Sequence, residues 1–265
     1  MIIDYEKVAS VVRSTAQDVL LPLFASVERC YKADGSVVSE ADIEMQRLIG
    51  KELSALYSDT VLLGEEMPES EQALLLSSDK PVWCLDPLDG SNNFIAGVPY
   101  FSVSLALIQH GEVKYGIVYD PVRDELFSAT TAGSSYLNGE IIATQSCGLK
   151  LKQSIAIIDF KRLSVDLATR LVTEVPYASQ RSFGSVALDW CWLAKGRCHL
   201  YLHGRSKIWD YAAGHFIFQQ AGGYSSTLMG DPVFKNTLQP RSVVAAMDAD
   251  LFADWSDWLG VVTKT

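Results

Sequence analysis

A layered α/β architecture, with helices covering sheets, is the fold class this sequence predicts. Short apolar runs of β character alternate along the chain with stretches whose apolar residues recur at helical spacing. Three β-rich runs follow one another at 101–108, 113–119 and 125–130, punctuated by His110-Gly111 and Asp120-Pro121, the pattern of an antiparallel meander. A strongly apolar helix over 210–220 is then stopped by Gly222-Gly223.

In chain order, residues 5–28 carry Val8, Val11, Val12, Val19, Leu20, Leu23 and Phe24 at helical spacing, with Pro22 kinking or dividing the element. KADGSVV (32–38) reads as a turn-rich loop. Ser39 followed by Asp42 marks a helix start, and Ile43, Leu48, Ile49, Leu53 and Leu56 line one face behind it. A short strand at 60–63 ends at Gly64-Glu65-Glu66, and 67–80 reads as a surface helix and loop. The next strand, 82–85, runs into Asp86-Pro87-Leu88-Asp89-Gly90-Ser91, which is a turn by its residue types. Beyond the meander, a second α/β half is expected. Its strands fall at 155–159, 178–180, 198–202 and 243–246, and its helices at 185–194, 210–220 and 251–259.

The 265 residues suffice for one large core or two closely packed halves, and 48% apolar with 20% charged residues describes a folded chain. With 32 acidic against 22 basic side chains the net charge is −10, which argues against an extended nucleic-acid surface. A small anionic substrate is still allowed where a metal or local amides neutralise it. Cys30, Cys84, Cys147, Cys191 and Cys198 show no paired ligand spacing, so free thiols in a reducing compartment are expected. The first residues lack the pattern of a signal peptide, and no run reaches the roughly 18 apolar residues of a membrane span. A cytoplasmic, membrane-free protein is therefore expected.

Acidic residues recur where elements begin or end: Asp42, Glu65, Glu66, Asp86, Asp89 and Asp210. Each also has a plain structural reading. Asp42 suits the positive end of its helix, Asp210 suits a helix cap, and Glu65 and Glu66 suit solvent. If these carboxylates converge, like-charge repulsion calls for cations between them. All-oxygen donors point to Mg²⁺, with Mn²⁺ as a substitute, and the chemistry such a cluster suits is transfer of a phosphoryl group to water. Gly90 permits a tight turn, amides at a following helix start can receive phosphate, and Asn92-Asn93 would hold the turn.

WCLDPLDGSNNF (83–94), IWDYAAG (208–214), GEE (64–66) and KADGSVVSEAD (32–42) stand in the order and approximate spacing of the inositol monophosphatase family, which the chain resembles over most of its length. The family belongs to the lithium-sensitive, Mg²⁺-dependent phosphatases. The resemblance implies an α-β-α-β-α layered sandwich, the sugar phosphatase fold, usually as a homodimer. It implies an N-terminal half, 1–145, with metal-binding loops and a large antiparallel sheet, and a C-terminal half, 146–265, that completes the site. It further implies two or three Mg²⁺ ions held by Glu65, Asp86, the Leu88 carbonyl, Asp89 and Asp210. Glu65 would also contact the attacking water, and Ser91, where relatives carry threonine, would position that water under the orientation of Asp42. Gly90 and Ser91 amides would hold phosphate, Glu66 would stand further out or by a third metal, and Lys32 near the metal loop. Attack is expected in line, with no phosphoenzyme. His215, inside an apolar helix, is expected to pack in the core.

On the leaving-group side, RSFGSVALDW (181–190) resembles the family's pocket segment, making Gly184, Ser185 and Val186 substrate candidates along with Asp210. The family's hydroxyl-binding glutamate, seven residues before the second-signature aspartate, is His203 here, with Arg205 and Lys207 close behind on an expected rim. Inositol monophosphate or a related small sugar phosphate is the expected substrate. A 3′(2′),5′-bisphosphate nucleotidase and a histidinol-phosphatase are the alternatives. A non-catalytic role in contact with the transcription machinery, known among bacterial relatives, is the remaining one.

Overall fold

Two sheets organise the chain, and the alternation of side chains along their strands decides what each face packs against. The computed structural model describes residues 3–26, 30–31 and 37–261. Helix α1 (Tyr5–Leu23) starts at Asp4, whose carboxylate accepts from the Lys7 amide. A two-residue pair, β1 (Cys30–Tyr31) with β2 (Val37–Val38), leads into α2 (Glu40–Leu56). Next come β3 (Val61–Gly64), α3 (Glu69–Leu76), β4 (Val82–Asp89) and the short helix α4 (Ser91–Ala96). The meander follows as β5 (Ser102–Gln109), β6 (Glu112–Asp120), β7 (Glu125–Thr130), β8 (Ser134–Leu137) and β9 (Glu140–Ile142). The rest comprises β10 (Ile155–Asp159), α5 (Val165–Glu174), β11 (Ser179–Arg181), α6 (Val186–Ala194) and β12 (Leu200–Ser206). It closes with α7 (Ile208–Gln220), β13 (Tyr224–Ser226), β14 (Arg241–Ala246) and α8 (Ala249–Leu259).

β3 to β9 form a seven-stranded sheet in simple sequence order, parallel only between β3 and β4. The second sheet has the order β11-β10-β12-β14-β13; its first three strands are parallel and β14 is antiparallel to both neighbours. Trp83, Leu85, Val103, Leu105 and Ile117 face α1 and α2, while Cys84, Ala106, Ile108 and Val118 face α6 and α7. On the smaller sheet, Ile157, Tyr201 and Val243 meet the same two helices, and Ala156, Ile158, Leu202 and Val244 meet α5 and α8. The layers therefore run α-β-α-β-α, as expected. Ten residues of α7 are buried, which is what an apolar helix between two sheets requires. A Cβ on Gly214 would lie 2.8 Å from the Trp190 Cβ and 2.9 Å from the Ala187 carbonyl oxygen, so glycine lets α7 and α6 touch.

Several expectations are corrected. The first helix stops at Leu23, one residue after Pro22, whose ring nitrogen has no hydrogen to continue the ladder. Residues 27 and 28 of that expected helix, and 32–36 of the expected loop with Lys32, lie outside the described residues, while 37–38 are strand. The acidic stretch after Leu85 is no turn, because pairing with β5 keeps it in β4 as far as Asp89. The strand expected at 198–202 runs Leu200–Ser206, and the helix expected from 210 begins at Ile208. Strands β8, β9 and β13 and helix α5 were not expected; three are very short, and α5 buries only Leu171.

Candidate active site

The site begins where β4 breaks register. Asp86 lies opposite Ser104 and Asp89 opposite Ser102, so one extra residue is inserted at Pro87-Leu88, where a proline costs no ladder bond. Asp86 Oδ1 accepts the Leu88 amide at 3.0 Å. Gly90, at φ +97°, turns the chain into α4, and a Cβ there would sit 3.1 Å from the Tyr100 carbonyl oxygen and 3.2 Å from that of Gly184. The Ser91 hydroxyl lies 3.0 Å from Asp42 Oδ1 and 2.9 Å from the Leu88 carbonyl oxygen, and its single proton serves one of them at a time. Asp42, 0% exposed, uses Oδ2 to accept both the amide and the hydroxyl of Ser39 at 2.7 Å. It closes the start of α2 and reaches Ser91, so its structural and functional readings coexist.

The layer of α6 and α7 supplies the other side. Asp89 Oδ2 accepts the Ser185 hydroxyl and the Ala187 amide, each at 2.7 Å, so a carboxylate from the larger sheet closes the start of α6. Ser185 is fully buried, with its hydroxyl also 3.2 Å from that of Ser102. Its side chain is thus engaged with Asp89. Gly184, at φ +90°, leaves 3.2 Å between a Cβ and the Asn93 amide nitrogen. That nitrogen donates to the carbonyls of Tyr100 at 2.8 Å and Phe183 at 2.6 Å. Asn93 therefore ties two distant loops together where its own turn was the expected target. Asp210 is the third residue of α7, with Oδ2 accepting the Lys207 amide at 2.8 Å; Lys207, not Asp210, occupies the cap. The Ser104 hydroxyl donates to the Trp209 carbonyl at 2.9 Å, seating this first turn over β5 beside Asp86.

Glu65 leaves β3 with its amide donating to the Leu85 carbonyl at 3.1 Å. Gln72 donates to the carbonyls of Gly64 and Glu65 at 2.8 and 3.3 Å, and Gln46 accepts the Glu66 amide at 3.1 Å. Neither glutamine was singled out from sequence, since both sit in helices at unremarkable positions. Tyr100 was missed too: its hydroxyl donates to Asp189 at 3.1 Å and its ring stacks on Phe183, 4.8 Å between centroids.

Electrostatics show which carboxylates face one another. Burial raises Asp86 well above the usual carboxylate range, and Glu65, Asp89 and Asp210 raise it further against the Leu88 amide. Burial also raises Asp210, with Asp89 and Glu65 adding to it and the Lys207 amide and Arg162 opposing. Asp89 is pushed up to about 6 by burial, against the hydrogen bonds from Ser185, Ala187 and Val186. Four carboxylates are thus close enough to act on one another, two of them buried. Asp86 and Asp210 each engage one oxygen in the hydrogen bonds described, leaving the other for a ligand, while Asp89 accepts Ser185 and Ala187 on Oδ2. Among the described residues no three or more His, Cys, Asp or Glu side chains form a ready-made ion-holding group. The all-oxygen donor set nevertheless fits a hard divalent cation, which is what mutual repulsion at such a point requires.

His203 departs from the expected rim. It is 3% exposed within β12, with Nε2 3.2 Å from Asp159 Oδ2 and Nδ1 accepting the Arg205 amide at 3.3 Å. Alternation puts it inward on the same face as Tyr201, beside Val243 of β14. His215 is buried as expected: its Nε2 lies 3.1 Å from the Ser225 hydroxyl, and burial lowers it to about 4.

With the geometry in place, comparison with known proteins gives consistent results. A family model described as the inositol monophosphatase family matches residues 4–256. Inositol monophosphatase 1 of Solanum lycopersicum is 35% identical over 199 residues, 73% of this chain and 72% of that protein. Nus factor SuhB of Xylella fastidiosa is 31% identical over 223 residues, 82% of this chain and 79% of that protein. A solved IMPase of Thermotoga maritima superposes with a TM-score of 0.82 at 27% identity, covering 96% of this chain and 95% of its own.

Proposed function

This chain belongs to the inositol monophosphatase family and is a phosphatase, and we propose that it is the Mg²⁺-dependent hydrolase of inositol monophosphate or a related small sugar phosphate. The observation that carries the reading is that Glu65, Asp89 and Asp210 all raise Asp86, and Asp89 and Glu65 raise Asp210, beside the Ser91–Asp42 hydrogen bond. Glu65, Asp86, Asp89, Asp210 and the Leu88 carbonyl would hold two or three Mg²⁺ ions, with Mn²⁺ as a substitute. When bound, such cations neutralise the ester and acidify water. Asp42 holds the Ser91 hydroxyl so that its oxygen orients the attacking water, and the Gly90 and Ser91 amides receive the phosphate. Gly184 and Val186 stand at the leaving-group side, while Ser185 serves it by fixing Asp89.

Phosphate release from inositol 1-phosphate, fructose 1,6-bisphosphate, adenosine bisphosphate and histidinol phosphate, with Mg²⁺, with EDTA and with added Li⁺, tests this. Mg²⁺-dependent release, fastest from inositol 1-phosphate and suppressed by Li⁺, is expected. No release from any ester with Mg²⁺ would sink the reading. We further propose a cytoplasmic homodimer whose halves divide near residue 145. The larger sheet ends at Ile142 and the smaller begins at Ile155, and among the described residues no helix is long and apolar enough to cross a membrane. A relative named Nus factor SuhB supports contact with the transcription machinery as an additional role.

A further inference from the structure

In the smaller sheet, β11, β10 and β12 run parallel, and open α/β sheets bind ligands beyond the carboxyl ends of such strands. Two of the three deliver residues already placed in the site. β11 leads through Gly184 to Ser185, which bonds Asp89, and β12 leads to Asp210. The strand between them, β10, ends on Asp159. Arg162 acts on both Asp159 and Asp210, and Asp189 feels both Asp89 and Asp159, so Asp159 stands at the same end of the molecule as the carboxylate cluster.

Asp159 is built to present one oxygen. Its register partner His203 lies directly across on β12, buried, and holds Oδ2 at 3.2 Å. The Arg205 amide donates to His203 Nδ1, which leaves the ring proton on Nε2, facing Asp159. Oδ1 accepts no hydrogen bond from the described residues, and the side chain is 20% exposed. Burial pushes this carboxylate up, but the bond and charge of His203, and then the charges of Lys161 and Arg162, outweigh it and keep Asp159 below the usual range. Such an oxygen accepts hydroxyl groups and repels a second phosphate.

We infer that Asp159 is the specificity-determining residue of this site, accepting hydroxyls of a phosphorylated polyol or sugar leaving group, with His203 as its positioning residue. This rests on the phosphatase reading above and extends it, since it moves hydroxyl recognition from the His203 position to the neighbouring strand.

The test compares inositol 1-phosphate with phenyl phosphate, whose leaving group carries no further hydroxyl. Asp159→Asn should lower kcat/KM for inositol 1-phosphate by about 10- to 100-fold, mainly through KM, the loss of a hydrogen bond to a charged acceptor. Phenyl phosphate should change less than about twofold. His203→Phe should reproduce the inositol-specific loss, and His203→Gln, which keeps a side-chain N–H donor, should restore most of it. Equal losses on both esters, or none on inositol 1-phosphate, would overturn the assignment of Asp159. Turnover of neither ester by the unaltered protein would instead overturn the phosphatase reading on which it stands. Should the His203 variants fail to fold, Asp159→Asn decides alone, because the side chain it changes is partly exposed and keeps its shape.

Discussion

Replacing Asp89 by asparagine separates the two things that carboxylate does. An asparagine carbonyl still accepts from the Ser185 hydroxyl and the Ala187 amide, so α6 keeps its closure at a cost of about 1 kcal/mol. The charge offered to a cation is gone, and Mg²⁺-dependent turnover should nearly vanish while the melting temperature falls only slightly; turnover at ordinary Mg²⁺ would remove Asp89 from the ligand set. His215 makes a pH prediction. Its value falls from 6.5 to about 4 on burial, so between those values the unfolded chain binds a proton that the folded one does not. Stability from this group is complete above about pH 6.5 and lost as pH falls toward 4, about 3 kcal/mol in all. Asp89 acts in the opposite sense over much of that window, so the comparison must be with His215→Gln, in which the carboxylates cancel. Denaturant melts should show the unaltered protein losing ground to that variant as pH drops from 7 to 4.5; parallel curves would refute it. At this scale the residue types were legible in sequence. Their partners were not, because Asp159 meets His203 across 44 positions and Asn93 meets Phe183 across 90.

Elements deliver these residues in pairs, and the pairs are where single changes spread. α6 brings Ser185 and α7 brings Asp210, and their contact passes through Gly214. Gly214→Val would drive the helices apart at a cost of about 2 kcal/mol and shift both residues, so stability and activity should fall together. A melting curve and a phosphate assay on the same sample check this, and an active, unshifted variant would refute it. Asn93→Asp removes the donor shared by Tyr100 and Phe183 and points a carboxylate at two carbonyls, so turnover should drop with the carboxylate cluster itself untouched. Periodicity exposed the helices and the first meander strands well. It failed at Asp86–Asp89 because aspartate and proline carry local turn preferences that pairing to β5 overrides. It also failed at His203, which is buried although Arg205, two residues on in β12, is exposed.

Over the whole molecule, the carboxylates of the larger sheet push against that of α7 across the seam between them. Divalent cations that bind only the folded arrangement should therefore raise the melting temperature, by an amount that grows with Mg²⁺ concentration. EDTA should reverse the shift, and Asp210→Asn should blunt it. The family was readable from signatures that stand far apart in the chain, whereas the way Asp89 closes α6 depends on the two sheets being brought together. The strand order has a consequence for how the protein is made. Neighbours in the seven-stranded sheet are neighbours in sequence, so it can assemble from a growing chain before residues 155–246 have emerged. Until α6 and α7 dock, Cys84, Ala106, Ile108 and Val118 then face water, and Glu65, Asp86 and Asp89 stand without Asp210. Synthesis would then pass through a stage that is ordered, sticky on one side and inert, until the central layer of α6 and α7 both conceals that surface and completes the carboxylate cluster.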